Sequence, residues 1–253
     1  MPTAIPLLKT NEQPARPREL TPQGGDIPEK LISLPAVPLR GYVPEAPSLE
    51  ELQLVQRLFF LSGAEKARVI VFCGLEAGDC AETMCARTGE VLSYLVNEPV
   101  CVMDANLRAP TLHLRYEIDE TGQPFGGAAQ HLSENEASLG SKLWVLPAAA
   151  LRDCRPGFAP DAVRRQLSVL REKFGFLLIA APPLSIAAEG LLLGQMADGV
   201  VLNVMARSTQ RAVAMKVRRS LELYNVRVLG AILNDPPPRK RYARGRKSDS
   251  KST

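Results

Sequence analysis

The sequence predicts an α/β fold of three layers, a mostly parallel sheet with helices on both faces. Two observations carry this. Short apolar runs alternate with longer segments whose apolar residues recur at helical spacing. Aromatic residues make up 5% of the 253 positions while 45% are hydrophobic, so core volume must come from Leu, Val, Ala and Ile, as in a sheet buried on both faces. The same composition excludes collagen-like, disordered and coiled-coil classes.

Residues 1–47 read as an extended or disordered arm, because ten of the 21 prolines fall within the first 48 positions without helical or alternating pattern. At Ser48 the pattern changes. Ser48 and Glu51 form a Ser-x-x-Glu start, and apolar residues at 49, 52, 55, 58 and 59 fit one face of a helix. Six apolar runs then read as strands: 68–73, 100–103, 143–146, 176–180, 199–205 and 227–233. Between them, three sets share helical faces: Met84, Thr88, Val91, Leu92 and Leu95; Val163, Leu167, Leu170 and Phe174; and Val213, Val217, Leu221 and Tyr224. Residues 48–236 are expected to form one domain, followed by a disordered basic tail, 237–253. In such sheets ligands sit beyond the carboxyl ends of strands, so the segments after Cys73, Met103, Ala180 and Leu233 are the places to look for chemistry.

The formal charge of +4 is unevenly spread. From Arg239 onward seven basic residues face Asp249 alone, which leaves this stretch at +6 and residues 1–238 at −2. Such a run attracts anionic partners, phospholipid or nucleic acid, by screened charge, or is simply solvated. Tyr242 is its single aromatic, so base stacking has little to work with. No apolar run reaches the roughly 18 to 20 residues of a membrane span, and MPTAIPLLKT lacks the features of a signal peptide. The expected location is the cytoplasm, at most peripheral to the inner membrane surface. Five cysteines without a CxxC pair read as reduced thiols.

VIVFCGLEAGDCAET (69–83) lies between a strand and a helix, where a phosphate-binding loop would lie. Together with VMDANLRAPTLH (102–113), LLIAAPP (177–183) and the segments 197–213 and 226–235, it resembles the bacterial protein-tyrosine kinases of polysaccharide export, within the larger class of partition P-loop ATPases. The resemblance implies a P-loop NTPase-like fold of the partition-ATPase type.

In that family the loop reads Pro-Gly-Glu-Gly-Lys followed by Ser or Thr. Those positions fall here on Ala77, Gly78, Asp79, Cys80, Ala81 and Glu82, so the phosphate-binding lysine and the magnesium-binding hydroxyl are replaced. The Asp-x-Asp-x-Arg motif becomes Asp104, Ala105, Asn106, Leu107 and Arg108. The third motif shows Ala180 and Ala181 where an aspartate is expected, with Pro182 and Pro183 kept. Phosphoryl transfer depends on positioned charge, and four such positions are lost together.

The resemblance therefore implies no catalytic residue and no metal site. A residual nucleotide-binding edge would use Gly78, Asp79, Asp104, Asn106, Arg108 and Asn234, the last matching the family's adenine contact or simply ending a strand in a turn. No cofactor is expected beyond weak ATP or ADP binding. The expected role is that of a catalytically impaired regulatory or interaction partner in exopolysaccharide biosynthesis or export. Its partners would be a membrane polysaccharide co-polymerase or export protein, or an active paralogue. The anionic membrane surface would be met through Arg239–Lys247. Self-association would use helix 48–61, although the family's ring-forming Glu-x-x-Arg-x-x-Arg pattern falls on Glu51, Leu54 and Arg57. Two alternatives stay open: a nucleotide switch or active tyrosine kinase with unusual phosphate contacts, and a partition-like protein holding DNA.

Cys80 at a helix start suits a reactive thiol or a small residue in a collapsed loop. Arg87 and Arg108 suit anion contacts or solvated surface. His113 and His131 are too few for a metal cluster. The polar stretch 121–140 reads as a surface loop.

Overall fold

The computed structural model describes residues 36–39, 42–61, 67–119, 122–123, 142–154, 159–206 and 208–234. The strands are β1 (Val37–Pro38), β2 (Val69–Gly74), β3 (Val100–Asp104), β4 (Leu143–Leu146), β5 (Phe176–Ala181), β6 (Gly199–Met205) and β7 (Val228–Asn234). The helices are α1 (Leu49–Val55), α2 (Ala81–Leu95), α3 (Leu112–Arg115), α4 (Pro160–Lys173), α5 (Glu189–Met196) and α6 (Arg211–Leu223). The strands form one sheet in the order β1-β4-β3-β5-β2-β6-β7, parallel throughout except for β1, which runs antiparallel to β4.

Each central strand is a mainly apolar run because both of its faces are covered. Ile70, Phe72, Val102 and Leu178 point into one layer, against Cys85, Val91 and Leu92 of α2 and Val55 and Phe59 near α1. Val71, Met103, Leu177 and Ile179 point into the other, against Leu167 and Leu170 of α4, Leu193 of α5 and Val217 and Leu221 of α6. Burying each such side chain contributes roughly 1.5–3 kcal/mol. Helix α2 lies close on the sheet at Gly89, where an added Cβ would stand 2.4 Å from Val102 Cγ2. No helix among the described residues is long and apolar enough to cross a membrane.

The expected strands appear within one or two residues of their predicted ends. Ser48 caps α1 in the expected capping box, its Oγ accepting from the Glu51 amide while the Glu51 side chain accepts from the Ser48 amide. The helix continues with π-type winding over Gln56–Phe60, and Leu49, expected in the core, is exposed. Leu95 and Tyr224, the last members of two predicted apolar faces, are also exposed, since each lies where its helix ends.

The end of the proline-rich segment, ahead of Ser48, packs against the sheet and α2. Residues 37–38 pair with β4, and residues 42–46 are held on α2 by a charged cluster. Glu90 of α2 is fully buried; its carboxylate accepts from Arg115 Nε at 2.8 Å, Arg115 Nη2 at 3.0 Å, Arg87 Nη1 at 3.2 Å and Tyr42 Oη at 3.0 Å. Arg87 also donates to Glu51 and to the carbonyls of Glu45 and Ala46, while Tyr94 Oη donates to the Pro44 carbonyl. Burial opposes ionisation of Glu90, but Arg115, Arg87 and Tyr42 together hold it below the usual carboxylate range. The same burial, with Glu90 beside it, pushes the Tyr42 phenol up to about 12. Arg87 is therefore no anion contact at the sheet edge: its charge is spent inside the fold. The remaining arm, most of 121–140 and the tail 237–253 lie outside the described residues.

Candidate functional site

The parallel strands end together at one edge of the sheet, and a cavity of about 230 Å³ opens there between the loop after β2, the segment after β3 and the turn after β5. Of the sequence-predicted residues, Gly78, Asp79, Asn106 and Arg108 line it. Asp104 lies fully buried behind it, and Asn234 ends β7, two strands away from β2.

The loop keeps a turn that glycine would favour. Gly78 has φ +92°, and Cys80, where the resemblance places a second glycine, has φ 56° and ψ 32°, in the left-handed region. A non-glycine residue there carries roughly 1–2 kcal/mol of strain. Asp79 faces inward and is buried. Its Oδ2 accepts from the amides of Leu75 and Glu76, both at 2.8 Å, so a carboxylate of the chain itself occupies the concave side of the loop's first amides. The space is filled tightly, since a Cβ on Gly74 would meet Asp79 Cβ at 2.9 Å.

Glu82, in the first turn of α2, takes the position of the family's hydroxyl. Asn106 Nδ2 donates to its Oε1 at 3.1 Å, and Asn106 Oδ1 accepts from the Ala109 amide at 3.3 Å. Two of the replaced positions thus bond to each other. Asp104 accepts three backbone amides, from Asn106 at 3.0 Å, Thr111 at 2.9 Å and Leu112 at 3.1 Å, which fix the segment leading into α3. Burial is the largest influence on its carboxyl and raises the pKa above 3.8; the three amides oppose this and the charge of Glu82 adds to it. Arg108 lies exposed at the rim and donates to Glu189 Oε1 at 3.1 Å. At the third motif, Ala180 and Ala181 offer methyl groups, and the following turn is tied back through Leu184 N to Gly74 O at 3.0 Å.

These residues do not fit a magnesium-bound triphosphate. The walls carry Glu76, Asp79 and Glu82, and the cation that reaches the rim is neutralised by Glu189. A phosphate charge about 4 Å from a carboxylate is repelled by roughly 4 kcal/mol at an effective dielectric near 20. Among the described residues no group of three or more His, Cys, Asp or Glu is placed to hold a metal ion. Cys80 is exposed, its Sγ donating to the Gly78 carbonyl at 3.4 Å, while Cys73, Cys85 and Cys101 are buried.

Sequence reasoning missed Asn203, an amide inside the apolar run GVVLNVM of β6. It is fully buried, and neither its Oδ1 nor its Nδ2 has a hydrogen-bond partner among the described residues. Asn234 Nδ2 is likewise buried without one. Asn203 pairs in register with Ile232 and Met205 with Asn234, so both asparagines stand on the same face of neighbouring strands. A lone polar residue in an otherwise apolar strand was the available signal.

Comparison with known proteins agrees with this architecture. No family model matches the chain. Tyrosine-protein kinase YwqD of Bacillus subtilis (strain 168) is 22% identical over 196 residues, 76% of this chain and 82% of the relative. Among solved structures, the chimerical protein CapA2B2 superposes with a TM-score of 0.62 at 16% identity, covering 83% of this chain and 97% of that one. The kinase domain of Escherichia coli tyrosine kinase ETK gives 0.59 at 16% identity, covering 88% and 100%. The chain has the fold of these kinase domains, and the resemblance drawn from its motifs is matched by its similarity to bacterial tyrosine kinases.

Proposed function

We propose that this kinase-type domain is a catalytically impaired relative of the tyrosine autokinases, acting as a regulatory or interaction partner in exopolysaccharide biosynthesis or export. The observation that carries this reading is the bond between Glu82 and Asn106, with Asp79 closing the loop beside it. Groups that would meet phosphate and metal are spent on one another, and the remaining scaffold keeps a well-buried core on both faces of the sheet. Its partner would be a membrane co-polymerase or export protein, or an active paralogue. Ring formation through the helix-α1 motif is disfavoured, because Glu51 is already bonded to Arg87 of its own chain at 2.6 Å.

The test is a turnover assay on the purified chain with magnesium and ATP, read together with an antiphosphotyrosine blot. The expected outcome is neither hydrolysis nor phosphotyrosine. Magnesium-dependent hydrolysis that disappears in Asp104→Asn overturns the proposal.

A second reading, a nucleotide-responsive switch without turnover, is favoured by the unspent amides of Asn203 and Asn234. Calorimetric titration separates the two. Micromolar binding of ADP or adenosine that is lost in Asn234→Ala supports the switch, and silence with both supports the interaction partner.

A further inference from the structure

The charge imbalance extends beyond the tail. Residues 211–253 hold twelve basic and three acidic side chains, a net +9, so residues 1–210 sum to −5. The fold gathers the described part of this excess at one end of the sheet, where α6 leads into β7, the last strand in the sheet order. The outer face of α6 exposes Arg211, Lys216, Arg218 and Arg219, of which, among the described residues, only Arg218 has an acidic partner, Glu222 at 2.8 Å.

The turn joining α6 to β7 is apolar at its tip. Asn225, at φ 52°, turns the chain, and beside it Leu223 is 77% exposed, with Tyr224 and Val228 nearly half exposed and Arg227 between them. At the far end of β7, Leu233 is 70% exposed. Leucine, valine and tyrosine exposed at this turn, on the same helix–strand unit as cations without an acidic partner among the described residues, match the chemistry of a lipid–water interface. There the leucine enters the acyl boundary, the tyrosine sits among headgroups, and the cations meet lipid phosphates. Nucleic acid would satisfy the cations but leave Leu223 and Leu233 without a partner.

We propose that the α6–β7 edge docks this protein on an anionic bilayer. The strand lies along the surface, with the Leu223–Tyr224 turn at one end and Leu233 about 20 Å away at the other, the length of seven strand residues. This docking does not depend on whether the pocket binds nucleotide.

The experiment is co-sedimentation of the full chain with vesicles of phosphatidylcholine alone or mixed with phosphatidylglycerol. The unmodified chain is expected to sediment with the mixed vesicles and not with the neutral ones. Lys216→Ala with Arg219→Ala removes two surface cations and should weaken binding by about 30-fold. Leu223→Ser with Tyr224→Ser should abolish the part of the binding that survives high salt. All four side chains are exposed, so circular dichroism should show an unchanged fold, and the charge pair decides if the second variant misfolds. Two results overturn the proposal: mixed-vesicle binding unchanged in every folded variant, which assigns it to the tail alone, and indifference to mixed vesicles with retention of duplex DNA at the same salt.

Discussion

Glu82 and Asn106, one at the start of α2 and one after β3, are joined by a hydrogen bond of 3.1 Å across the mouth of the pocket. Asn106 is buried, so its amide depends on this acceptor. Glu82→Ala should cost about 1–2 kcal/mol in urea denaturation, the desolvation of one stranded donor. Glu82→Gln keeps an acceptor and should cost less, and Glu82→Ala with Asn106→Ala together should cost less than the sum of the singles. Additive losses would show that the bond contributes nothing.

Cys80 supplies a second prediction. Its left-handed backbone is one that glycine adopts freely, and its side chain is exposed. Cys80→Gly should therefore stabilise the chain by about 1 kcal/mol, visible as a raised melting temperature.

Arg87 holds the segment before α1 onto α2 through Glu51, Glu90 and two carbonyls. Arg87→Ala takes a cation from a buried pair and should cost about 3 kcal/mol. Limited proteolysis should then cut within residues 42–47, which the intact cluster shields. A variant as stable and as resistant as the parent would show that the cluster is ornamental to the fold.

The same cluster sets a pH window. Glu51 and Glu90 titrate below 4.5 in the folded chain, Glu51 chiefly through its bonds to Arg87. Their contribution is complete above 4.5 and lost as pH falls through the lowered folded values. Tyr42 is raised from 10.0 to about 12, so its contribution is present below 10.0 and lost as pH rises through the folded value. Asp104, raised above 3.8, acts in the opposite direction to the glutamates and softens the acid limb. Denaturation midpoints across pH should show a plateau between these limits, and Arg87→Ala should flatten the acid side.

The parallel sheet was legible because its strands are buried on both faces and so appear as predominantly apolar runs, LWVL and GVVLNVM to the residue. Strand β1 was not, being two residues long with a proline that an edge strand tolerates. Helix α5, EGLLLGQM, is apolar on too many sides to show a helical stripe. At the pocket, motif spacing brought Gly78, Asp79, Asn106 and Arg108 to one place. What the spacing could not give is where each charge is spent: Asp79 turns inward, Arg108 meets Glu189, and Arg87 serves the arm. The Arg108 and Arg87 pairings join residues far apart in sequence and exist only once the layers are packed, while the inward turn of Asp79 is set by the loop's own backbone.

The pairing of positions 82 and 106 also bears on descent. The resemblance places a hydroxyl at the first and a carboxylate at the second in active kinases. Threonine alone at 82 orphans the Asn106 amide, and aspartate alone at 106 sets two anions against each other where 3.1 Å now separates donor from acceptor. Either single replacement costs folding stability before the other can compensate, so the two positions are expected to change together.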